Sequence, residues 1–172
     1  MTISRKSLTI AAVALAAVCA PTAALADSTV PANVLADIAK THADVQTLHD
    51  AVVADAAKIQ ADVASLKGTT DRKAALATLK ADWTKLRSDR EAAQAVVKAD
   101  WQQLKTDAKA AREAKQGNGQ IRPLVQAMHT ANQALRADAK LAVEAAHTAA
   151  AALRESMKGQ LKGAPTATTN NG

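Results

Sequence analysis

The amino-acid sequence predicts an all-α protein without β-strands, made of three long antiparallel amphipathic helices. They would form either a coiled-coil-like bundle or an extended hairpin. Three observations carry this expectation. The chain is Ala-rich and lacks Phe and Tyr, a composition that favours helix over strand. Large apolar residues recur in steps of three, four and seven over tens of residues, the spacing of one helical face. Helix-breaking residues cluster at two interior places, around Gly68 and at Gly117-Asn118-Gly119.

Residues 1–26 read as a cleaved secretory signal peptide. Arg5 and Lys6 form a basic start, and Leu8 to Ala20 an apolar stretch too short to span a bilayer comfortably. Ala24-Leu25-Ala26 fits the small-x-small cleavage rule and places the mature start at Asp27. Cys19, the only cysteine, would leave with the signal, so the mature chain would use no disulfide even in an oxidising compartment. Localisation is expected to be periplasmic or secreted. The domain that follows is expected over residues 27–162, with a disordered tail at 163–172.

The first helix is expected over about residues 31–67. Pro31 suits a first turn, with Ser28 or Thr29 as cap. Ile38, Val45, Val52, Ile59 and Leu66 lie seven apart, and Leu35, Leu48 and Val63 widen their stripe. Gly68 is expected to take a left-handed cap, with Thr69 or Thr70 capping the next helix. The second helix is expected over about 71–115, with a seam from Leu76 through Leu79, Trp83, Leu86, Arg90 and Val97 to Trp101, Leu104 and Ala111. The third is expected over about 121–158, with Pro123 in its first turn and a seam from Leu124 and Met128 through Leu135 to Leu153 and Met157. The run Ala139 to Ala152 lets a neighbour approach closely but buries little area, so this helix is expected to be the loosest.

An internal repeat of 18 residues underlies the first two helices. Lys80-Ala81-Asp82-Trp83 returns as Lys98-Ala99-Asp100-Trp101, and Ala36-Asp37-Ile38-Ala39-Lys40 is echoed by Ala54-Asp55-Ala56-Ala57-Lys58. Eighteen residues make about five turns, roughly 27 Å, so each copy presents the same face of a nearly straight helix. Asp37, Asp44, Asp55 and Asp62 line one edge of the first helix's stripe, and Asp82, Asp89, Asp100 and Asp107 one edge of the second. Lys80, Arg87, Lys98 and Lys105 lie on the opposite edge of the second helix. Flanking charges of this kind fix pairing and register. Carboxylates seven residues apart are about 10 Å distant, too far to share one cation.

The full chain carries 22 basic and 16 acidic residues, net +6; without Arg5 and Lys6 the balance is 20 to 16, net +4. Mild basicity of this kind attracts anionic lipid surfaces or envelope polymers, and export argues against nucleic acid as partner. His42 and His49 fall near the centre of the first helix's stripe. With His129 and a carboxylate such as Asp50 they are the candidate ligands for a metal or haem, against the plainer reading of packed seam histidines. Arg90 interrupts the second seam and is expected to meet a carboxylate and set register, or to extend out along its stem. Trp83 and Trp101 are the expected packing or partner contacts.

The sequence has no phosphate loop, nucleophile elbow or His-Glu-x-x-His, so no enzyme and no cofactor is expected. The long basic helices resemble the arms of Skp-type periplasmic chaperones, which also carry a β-stranded body. The exported all-helical character is similar to the Spy-type chaperones, although their Leu-Thr-x-x-Gln motif is absent. The function expected is binding or structural support in the bacterial cell envelope. A chaperone-like holder of unfolded clients, an amphipathic lipid-surface binder and a metal- or haem-binding bundle are the alternatives. The partners to expect are a second copy of the chain, envelope proteins, unfolded clients or anionic lipid surfaces.

Overall fold

The structure is a computed structural model that describes residues 30–117 and 119–162, with side chains described as far as Gly159. The expected signal peptide and C-terminal tail lie outside the described residues. Three helices fill the described chain, and it contains no strand: α1 (Ala32–Ser65), α2 (Arg72–Glu113) and α3 (Ile121–Lys162). The third runs beyond the expected end near Lys158.

Local chemistry sets the boundaries. Pro31 precedes α1 with an extended ψ of 142°, and its carbonyl accepts from the Leu35 amide at 3.2 Å. Gly68, at φ 85°, reverses the chain after α1 at no steric cost. Asp71, rather than Thr69 or Thr70, caps α2: its carboxylate accepts from the Ala74 amide at 2.9 Å. A carboxylate at this end also opposes the positive pole of the helix dipole. At the far end of α2, Lys115 is left-handed at φ 57°, and the Gln116 amide donates to the Ala111 carbonyl at 2.8 Å. That closure is usually given to glycine. Gly117 follows at φ 64°, so close to the start of α3 that a Cβ would stand 2.9 Å from the Ile121 side chain.

α1 is the spine. Both α2 and α3 pack along it, whereas they hardly pack against each other. The chain runs up, down and up, so α1 and α2 are antiparallel and α1 and α3 parallel. Serving two partners, α1 is buried over a wide arc that includes Val34, Ile38, Val45, Val52, Ile59 and Val63. α2 is buried along a narrower line through Ala75, Leu79, Leu86, Val97, Leu104 and Ala108. The expected broad seam on α2 is therefore only half covered. Leu76 is 46% exposed, and Trp83 and Trp101 are half-buried, because α2 and α3 hardly pack against each other.

The apolar interior is in two parts. One end holds Ala56, Ile59 and Val63 against Leu79, Leu86, Ala150, Leu153 and Met157. The other holds Val34 and Ile38 against Leu104, Ala108, Ile121 and Met128. Between them lies a polar belt of buried Thr41, His42 and Asn132, then the isolated buried valines Val45, Val52 and Val97.

Candidate functional site

The aspartates of the repeat face one another across the α1–α2 seam in four rungs. Lys40 Nζ reaches Asp44 at 2.8 Å on its own helix and Asp100 at 2.6 Å on α2. Lys58 reaches Asp62 at 2.6 Å and Asp82 at 2.7 Å. Lys85 does the same from α2, bonding its own Asp89 and, at 2.7 Å, Asp55 of α1. In the fourth rung Asp37 meets Asp107. The repeat places Gln103 where Lys85 stands one unit earlier, so the bridging cation is missing there.

The electrostatics follow this difference. Hydrogen bonds to two carboxylates push the Lys40, Lys58 and Lys85 ammonium groups above the ordinary lysine range. Contacts with Asp100 and Lys40 hold Asp44 below the usual carboxylate range, and contacts with Lys58 and Asp82 do so for Asp62. Asp37 moves the other way: burial raises it first, and the facing Asp107 carboxyl adds to the rise. The row is thus a register device whose carboxylates are mostly spoken for by lysine. The lysines that bridge it could not be named from one helix alone, because the bridge needs the partner's position.

The histidines do not converge. His42 is buried and pairs through Nδ1 with Asn132 Oδ1 at 2.7 Å, which ties α1 to α3. His49 is held between two carboxylates, Nδ1 to Asp50 and Nε2 to Asp138, both at 2.8 Å. Burial works against its charge, but the two carboxylates prevail and raise its pKa. The carboxylates sit on opposite ring nitrogens and cannot close on one ion. His129 is exposed and contacts Gln133 on its own helix. Among the described residues no three His, Cys, Asp or Glu side chains gather as a metal site.

The tryptophans mark the seam that stays open. Trp83 stacks on His147 of α3, ring centroids 4.0 Å apart at 18°, and Trp101 meets His129 edge-on at 6.3 Å. These two contacts strap α2 to α3 at levels roughly 27 Å apart along the helix. Between them the backbones leave a furrow that holds a cavity of about 570 Å³. Val45, Leu48 and Val52 of α1 form its floor, with Val97 and Trp101 of α2 and Leu135 and Val143 of α3 on the sides. Arg90, Lys98 and Lys105 line one bank, and Arg136 and Lys140 the other. A more open recess of about 730 Å³ continues past Arg90 and Gln94 to Lys80, Arg87, Glu91 and Arg154.

Arg90 is therefore exposed on the furrow bank rather than buried in the seam. It has no carboxylate within ion-pair distance among the described residues. The expected register role falls instead to Lys40, Lys58 and Lys85. Sequence reasoning placed the basic edge of α2 but missed Arg136, Lys140 and Val143 across from it. Their helix face is defined only once α3 is known to avoid α2.

With this geometry in hand, comparison with protein-family models, with curated proteins and with solved structures returned no match.

Proposed function

We propose that this is an exported, non-enzymatic binding protein of the cell envelope that holds an anionic guest in the furrow between α2 and α3. The carrying observation is the split of charge on α2. Its acidic edge is committed to α1 through lysine bridges, while its basic edge faces the furrow, whose cavity of about 570 Å³ has no carboxylate among its described lining residues. Cations gathered over an apolar floor recognise a guest with negative charge and apolar surface together. Exposure of half-buried Trp83 and Trp101 along the same furrow supports the reading, since such rings combine an apolar face with a polar edge. The basic helices and the signal-like start are consistent with work at an envelope surface.

An anionic aromatic dye, anilinonaphthalene sulfonate, tests this. The dye should bind one site per chain, draw energy from the tryptophans and weaken with salt. Reversing charge on both banks, Lys98→Glu with Arg136→Glu, should abolish the signal while circular dichroism stays helical. Dye binding that survives this double reversal would overturn the proposal.

A further inference from the structure

We infer that the natural guest of this furrow is a single-chain anionic amphiphile, one acyl chain with a carboxylate or phosphate head. The inference rests on the binding reading above and names its ligand class.

The two apolar cores end near Ile38 and Ala56 on α1, and the stretch between them holds Val45 and Val52, buried but part of neither core, with Leu135 and Val143 of α3 beside them on the cavity wall. Ala139 sits opposite, and its single methyl leaves the space that a leucine would fill. An open groove with an apolar floor and basic banks thus runs over the middle third of the molecule, above these buried valines. From Arg90 to Lys105 it extends roughly 22 Å along α2, the span of one extended long acyl chain. Its volume of about 570 Å³ falls inside the range of single-molecule sites and is narrow for two chains side by side.

The banks choose the head. Five cations line the cavity, and only Lys140 leans on an acid, Glu144, at 3.6 Å. Arg90, Lys98, Lys105 and Arg136 have no carboxylate within 4.0 Å among the described residues. Their positive charge faces both sides of one channel, so an anionic head finds donors from α2 and α3 at once. Arginine offers a planar pair of donors matched to carboxylate or phosphate. The other charged neighbours are His49 on the floor, occupied by Asp50 and Asp138, and Lys80, Arg87, Glu91 and Arg154 in the adjoining recess. The same channel rejects a neutral chain of equal length, because the cations would then be crowded without gain.

Titration of the purified full chain with hexadecanoate, below its micelle concentration, tests the inference, with displacement of anilinonaphthalene sulfonate and Trp emission as readouts. Hexadecanoate should displace the dye one to one and shift Trp101 emission to the blue. Hexadecanol and acetate should bind at least tenfold more weakly, each lacking one half of the recognition. Lys98→Glu and Arg136→Glu should each cost about tenfold in hexadecanoate affinity, the size of one charge-assisted contact. Ala139→Leu should block the channel with the banks intact, and its unchanged melting would exclude misfolding. A hexadecyl phosphate arm tells phosphate from carboxylate heads. If the dye binds in a charge-dependent way but neither hexadecyl anion displaces it, the amphiphile assignment is overturned and the binding reading stands. If polyglutamate displaces the dye and hexadecanoate does not, the guest is an acidic polymer and the assignment again falls. If the dye does not bind at all, both fall.

Discussion

The two seams of α1 are built on different principles. Against α2, the helix pairs through a periodic ladder of aspartates bridged by lysine, with Leu79, Leu86 and Leu104 beneath. Against α3, it pairs through alanines at mid-helix, Ala146 and Ala150, with Met128, Leu153 and Met157 toward the ends and one buried polar contact, His42 with Asn132. The first seam is written by duplication, so each rung repeats the register of the last. The second has two unlike contacts at mid-height, His42 with Asn132 and His49 with Asp138, and no repeat of either. A helix pinned by many equivalent rungs can also slip by a whole repeat of 18 residues, and only unequal features forbid this. The unbridged Asp37–Asp107 rung and the tryptophans, present on α2 alone, are such features. The third seam, α2 against α3, is closed by neither device, and it is where the proposed guest would sit.

The largest expected effect comes from cutting the core under the ladder. Leu79→Ala should cost about 2–5 kcal/mol by chemical denaturation, since Leu79 is 1% exposed and its loss leaves a cavity. Leu153→Ala, its counterpart on the α3 side, should cost less if neighbouring alanines let that seam collapse. Equal losses would erase the contrast between the seams. Next in size, Asn132→Ala should cost about 1–3 kcal/mol, because it leaves the buried His42 ring without its partner. The paired change to leucine at both positions should recover most of that loss; a double-mutant cycle reads the difference.

Smaller effects probe the ends and the charges. Lys115→Gly should stabilise by about 0.5–1 kcal/mol, relieving a left-handed lysine at the end of α2. Gln103→Lys should restore the fourth bridge, raise the melting temperature slightly and bring the Asp37 carboxyl down, as NMR titration would show. A Gln103→Lys chain in which Asp37 stays raised would mean that the rung does not share the geometry of the others.

Stability should peak in mildly acidic solution. Asp37 is raised when folded, so its ionisation opposes folding at neutral pH and that drag lifts as pH falls through its folded pKa. Asp44 and Asp62 are lowered, so their contribution holds above the ordinary 3.8 and is lost as pH falls below it. His49 is raised, so its contribution is complete below the ordinary 6.5 and lost as pH rises through its folded value. The melting temperature should therefore pass through a maximum between these limits. His49→Gln should flatten the alkaline side of the curve.

Much of the fold could be read from residue order. Helix extents, the turns at Gly68 and Gly117, the 18-residue repeat and its acidic edge all follow from local spacing. What spacing could not supply was which partner each face meets. A wheel drawn for α2 shows one stripe, and it assigns Leu76, Trp83, Arg90 and Trp101 to the same seam as Leu79. Only the position of α3 shows that half of that stripe borders an open furrow. Asn132 was invisible for the same reason, being one polar residue on a face that alanines make ambiguous.

Hydrogen exchange with and without hexadecanoate separates a furrow guest from general stabilisation. Slowing should concentrate in residues 90–105 of α2 and 135–143 of α3, with the packed ends around Ile59 and Met128 unchanged. Protection spread evenly over the three helices, or confined to the ends, would contradict a guest in the furrow.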